Sequence, residues 1–355
     1  MKKNSREYTN WLIKKNKKNL RKRTEKKRKL RAKRRYKNHV RNESQIIQYP
    51  KKKNKRITII APENFSIIDN SEETLAFFSK MLKNKDKTIE IFVDISRIRN
   101  LTIEALMYLL AIIYNLKGIH SFSVSGNIPQ DLSVKKKFEQ SGFLHYVHAN
   151  YLPYRGLSKT SNSFQIQSGE KTDVSIASQL TDFIAQHSGI DGKYLRFFYI
   201  MIIELMSNTS KHAYEEQGGS LFQPLWYCYA DYLDKEEKIC MSFLDLGLGI
   251  PVTVKRKWYE HILQKNDCEY IVSALNGENR SETGMPNRGK GLPQIAEYCH
   301  LGYIDAMRII SESADVGVLK ETMIQRRVSL SFKGTLFYWE LDINSLKREL
   351  KICIK

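Results

Sequence analysis

Residues 197–212 read FFYIMIIELMSNTSKH. Phe197, Ile202, Leu205 and Met206 supply an apolar packing side, and the spacing predicts a helix over about residues 193–214. Glu204, Asn208 and His212 recur every fourth position. At 3.6 residues per turn such positions drift only about 40° per step, so the three share one face. A carboxylate, an amide and an imidazole in one polar stripe can hold a hydrated divalent cation and a polyphosphate. Magnesium prefers oxygen ligands and keeps several waters, so one side-chain carbonyl is a fitting protein contribution.

Two further motifs follow in order. An apolar strand, ICMSFL, runs directly into Asp245-Leu-Gly247-Leu-Gly249-Ile-Pro251. A carboxylate at a strand end can accept a hydrogen bond from an exocyclic amine such as adenine's, and the glycines let a flat base approach the backbone. Then Arg288-Gly289-Lys290-Gly291-Leu292 opens a short helix, Leu292–Cys299. Glycine amides at a helix N-terminus favour phosphate, and the flanking Arg288 and Lys290 are candidates either to neutralise its charge or to face solvent. Around these motifs the patterning predicts a helix over 173–188 and strands at about 225–232, 238–244, 303–311, 316–321 and 326–341. Helices followed by antiparallel strands make an α+β sandwich with one helical layer.

In this order and on these elements, the three motifs resemble the GHKL (Bergerat-fold) ATPases, among them gyrase-type topoisomerases, mismatch-repair ATPases, histidine kinases and anti-sigma-factor serine kinases. Glu204, Asn208 and His212 match that family's N box, Asp245, Gly247 and Gly249 its G1 box, and Gly289 and Gly291 its G2 box. Gly334-Thr335 matches the Gly-Thr that closes the kinase branch. The resemblance implies ATP and Mg²⁺ as cofactors, with Asn208 on the metal, Asp245 reading adenine, and Arg288, Gly289, Lys290 and Gly291 at the phosphates. Residues 252–288 would be a mobile lid. It further implies that Glu204 is a general base for ATP hydrolysis or Ser/Thr phosphorylation. A histidine kinase is the weaker variant: His187 lies near the place of a phospho-accepting histidine, but Ser188 follows where an acid is usual.

Residues 56–150 alternate strand and helix patterns, with strands at Ile57–Ile60, Thr88–Val93 and Phe122–Val124, and helices from Ser71, from Thr102 and through Phe138. That order argues for an α/β layer. The strand ending Asp94-Ile95-Ser96, the helix start Thr102-Ile-Glu104-Ala-Leu106 and the closing Phe138–Leu144 resemble a STAS domain, the anti-anti-sigma family. Glu104 stands where that family carries its phosphorylated serine, and it reads either as a fixed negative charge or as an ordinary first-turn acid.

The organisation expected is therefore α/β and α+β: a basic arm over 1–55, helical or disordered, then a STAS-like domain over 56–150. A linker over 151–172, a GHKL domain over 173–344 and a basic tail over 345–355 complete it. The net charge of +21 sits in one place: residues 1–56 hold 25 Lys/Arg against 3 Glu, and the remainder is nearly neutral. Such an arm suits nucleic acid or another polyanion. No apolar run approaches the roughly 20 residues of a membrane span, and Cys228, Cys240, Cys268, Cys299 and Cys353 form no CxxC pair, which suits a cytoplasmic protein with reduced thiols. A regulatory protein partner and a homodimer are further expectations. The competing functions are an ATP-gated switch acting on nucleic acid and a non-catalytic nucleotide-binding scaffold.

Overall fold

The computed structural model describes residues 55–83, 89–118, 123–147, 162–212, 225–257, 265–278 and 291–351. Apart from Lys55, the expected basic arm lies outside these residues. The N-terminal part runs β1 (Arg56–Ile60), β2 (Asn64–Phe65), α1 (Ser71–Lys83), β3 (Glu90–Asp94), β4 (Asn100–Leu101), α2 (Ile103–Gly118), β5 (Ser123–Gly126), α3 (Leu132–Gln140) and α4 (Phe143–Val147). Strands β1, β3 and β5 form a parallel sheet in that order. Parallel pairing requires crossovers, and α1 and α2 supply them.

The C-terminal part is antiparallel. It comprises β6 (Ser163–Gly169), α5 (Val174–Ser188), α6 (Arg196–His212), β7 (Trp226–Leu233), β8 (Lys238–Asp245), α7 (Ile250–Lys257), α8 (Asp267–Leu275), α9 (Gly291–His300), β9 (Ala306–Leu319), β10 (Met323–Asp342) and α10 (Ile343–Glu349). Its sheet has the order β6-β7-β8-β10-β9. The fold is thus α/β followed by α+β.

Alternation along the central strands assigns the two faces of this sheet. Ile239, Met241 and Phe243 of β8 join Phe337, Trp339 and Leu341 of β10 in a core shared with helices α5, α6, α8 and α9. Leu244, Leu336, Tyr227 and Tyr229 point the other way, into a core shared with α1, α2 and the parallel sheet. Helix α2 lies between the sheets, touching β5 on one side and β7 and β8 on the other. Its sequence is apolar all round, as a helix buried on every side requires, and among Ile103–Leu116 only Tyr114 is largely exposed. The two expected domains therefore share a core, and Asn54–Lys355 clusters as one compact unit.

Several segments differ from the sequence reading, and the strands expected at 303–311 and 316–321 are one continuous strand, β9. Within the expected linker, residues 163–169 form edge strand β6, whose Phe164 is buried in the helix-side core and whose Ile166, within a register irregularity, is buried in the opposite one. Within the expected lid, α8 is an ordered helix, held by a reciprocal capping box between Asn266 and Glu269 and buried through Cys268, Ile271 and Leu275. The tail begins as α10, capped by Asp342 and anchored by Ile343 and Leu346. None of the described helices is long and apolar enough to cross a membrane.

Candidate functional site

Asp245 ends β8. The two-residue period that sends Ile239, Met241 and Phe243 toward the helices sends Asp245 there too. In register beside it stand Trp226 on β7 and Thr335 on β10. Both face the same side, since Cys228 and Ala230 follow Trp226, and Phe337 and Trp339 follow Thr335, in the helix-side core. The carboxylate is only 7% exposed. Its Oδ1 accepts the Gly247 N–H at 2.7 Å. Burial pushes the acid up to about 7, against the pull of that N–H.

The turn after Asp245 is fixed by contacts that sequence reasoning missed. Gly249 adopts φ +82°, and a β-carbon there would lie 2.6 Å from Ser311 Oγ. Ser311 is fully buried on β9; its hydroxyl accepts the Ile250 N–H and donates to the Gly334 carbonyl. Gly334, at φ +102°, packs so tightly that a β-carbon would sit 1.9 Å from the Asp245 carbonyl oxygen. The G1-like and Gly-Thr motifs thus form one cluster. No local pattern announces Ser311 or Trp226; their roles come from strand pairing.

The second cluster joins two helices. Glu204 and Asn208 are half-buried, one turn apart on α6. Gly291 opens α9, and a β-carbon on it would meet Glu204 Oε2 at 2.8 Å. Both helices bury residues in the same helix-side core. His212 ends α6, and its side chain, together with Arg288, Gly289 and Lys290, lies outside the described residues.

Two other residues singled out by sequence are packed away. Glu104 is 2% exposed and accepts a hydrogen bond from Ser66, with burial holding its carboxyl above the usual range. It presents no charge at the surface. The His187 ring lies between Phe183 and Tyr232, with centroids 4.5 and 4.7 Å away.

No family model matches the chain, and no curated protein matches it. Among solved structures, the chain is similar to the histidine kinase domain of a blue-light activated histidine kinase from Erythrobacter litoralis. The identity is 12% and the TM-score 0.25, over 79% of this chain and 95% of that one. At that TM-score the likeness carries no functional weight.

Proposed function

We propose that the chain is a Mg-ATP-binding protein of the GHKL type, a regulatory serine/threonine-type kinase or ATPase fused to a STAS-like layer. The observation that carries this reading is Asp245: a buried carboxylate at a strand end, flanked by Trp226 and Thr335 and followed by a glycine turn. A desolvated carboxylate gains most from a donor that favours its charged form, and the exocyclic amine of adenine is such a donor. Gly247 carries no side chain to obstruct a flat ring beside Asp245, while Gly249 lets the turn pack closely on Ser311. Asn208 offers a carbonyl oxygen to hydrated magnesium. Gly291, at a helix start, would offer its amide to phosphate. Glu204, one turn before Asn208, would take the proton of an attacking hydroxyl or water. Mg-ATP at this site would supply the phosphoryl group for transfer.

The packing of His187 between two rings favours a structural role for it over phospho-acceptance. The concentrated charge of residues 1–56 favours a polyanion partner, and with it the second reading, an ATP-gated switch on nucleic acid.

The test is labelled Mg-ATP with the full chain and with Glu204→Ala. The variant should bind nucleotide and lose turnover. An acid-stable phosphoprotein identifies a kinase; released phosphate alone identifies an ATPase. Unchanged nucleotide would refute the catalytic part, and absence of saturable binding would refute the site.

A further inference from the structure

Strand β10 breaks register with β9 around Lys333 and Gly334: Phe332 pairs with Glu312, and Thr335 pairs with Ser311. Two residues of β10 therefore stand where β9 has none, which is a bulge. A bulge frees backbone groups from the ladder, and buried ones need other partners. Here two side chains provide them from opposite faces of the sheet. The Ser311 hydroxyl takes the Gly334 carbonyl at 2.7 Å. The Tyr108 hydroxyl oxygen, from helix α2, accepts the Lys333 N–H at 3.0 Å.

Tyr108 is itself immobilised. Its ring stacks on Phe332 at 4.3 Å, meets Phe78 edge-on at 4.6 Å, and is 1% exposed. Thus the STAS-like layer grips the backbone one residue before Gly334, whose α-carbon abuts the Asp245 carbonyl.

We infer that Tyr108 is a positioning residue for the proposed nucleotide site, through which the STAS-like layer sets the backbone around Asp245. This rests on the reading of Asp245 and its neighbours as an ATP site. The chain of contact runs from the Tyr108 hydroxyl to the Lys333 amide, to the Gly334 bulge, and from there to the Asp245 backbone and, through Ser311, to the turn at Gly249 and Ile250. A shift of α2 would therefore reach the proposed adenine-reading wall without passing through α6 or α9. Regulation would act in cis, across the sheet.

The test uses full-length Tyr108→Phe, which keeps the ring and removes only the hydroxyl that accepts the Lys333 N–H. Ser311→Ala removes the second tie from the pocket side. In both, amide hydrogen exchange over residues 333–335 and 245–250 should accelerate while β6 keeps wild-type protection. ATP affinity should fall by up to about tenfold, because the worth of the one hydrogen bond removed bounds its coupling to the site. The ratio of ATP to GTP affinity should fall as well, because the base-reading wall is what moves. A merely structural loss would lower both affinities by one factor and leave the ratio unchanged, and that result would overturn the inference. Wild-type exchange over 245–250 in Tyr108→Phe would overturn it too. Accelerated exchange there in a protein that takes no nucleotide would support the coupling and sink only the ATP reading.

Discussion

Glu204 and Gly291 meet across two helices: a β-carbon on Gly291 would lie 2.8 Å from Glu204 Oε2 and 3.5 Å from its Cβ. The nearest atom is the end of a flexible side chain, so Gly291→Ala should fold and melt close to wild type while turning the carboxylate aside. Displacing a catalytic group by about 1 Å costs on the order of 100-fold in rate. The expected outcome is lost turnover with near-normal ATP binding, read by steady-state kinetics beside calorimetry.

Asp245 carries a pH signature. Its acid is raised from the usual carboxylate range to about 7 by burial, so the folded state binds more protons than the unfolded one between about pH 4 and pH 7. Stability from this group is therefore greatest at low pH and declines as pH rises through 7. The buried charge costs on the order of 4 kcal/mol at pH 8. Asp245→Asn removes it, so the nucleotide-free variant should melt a few degrees above wild type at pH 8, with the difference shrinking toward pH 5. The same variant should lose roughly 10- to 100-fold in ATP affinity. Thermal melts across pH and a binding titration check both.

Gly334→Ala should be severe. The site combines φ +102° with a β-carbon placed 1.9 Å from a backbone oxygen, and neither the Asp245 carbonyl nor the bulge can yield without breaking the β8–β10 ladder. A loss of roughly 3 kcal/mol or more is expected, from strain and overlap together. Chemical denaturation measures it.

Deleting residues 1–54 should leave ATP binding intact, because every described site residue lies within the compact unit Asn54–Lys355. Salt-sensitive binding to DNA, RNA or anionic vesicles should disappear. Binding that survives the truncation would place the polyanion surface elsewhere.

The candidate site is legible where chemistry and local pattern coincide. Glu204 and Asn208 share a helix face by spacing alone, and Asp245 follows an obvious strand. Gly291 could be read as a helix start but not as the neighbour of Glu204, because that contact joins segments 87 residues apart. Helix α8 was hidden inside a polar stretch; its Asn266–Glu269 box and the apolar spacing of Cys268, Ile271 and Leu275 were the available signal. Strand β6 was hidden by the Ser and Asn around Phe164 and Ile166. Tyr108 and Ser311 leave no local trace, since each is defined by a backbone group on another strand. The shared core had one clue, a helix apolar on every side, which no single-faced sheet could cover.

That helix has a consequence for how the molecule is made and handled. Ile103–Gly118 is a common keel, and neither half can be cut free without baring either the keel or the tyrosines beneath it. Fragments ending near residue 150, or starting there, should precipitate on expression, whereas the uncut polypeptide should lose its structure in one cooperative step rather than two.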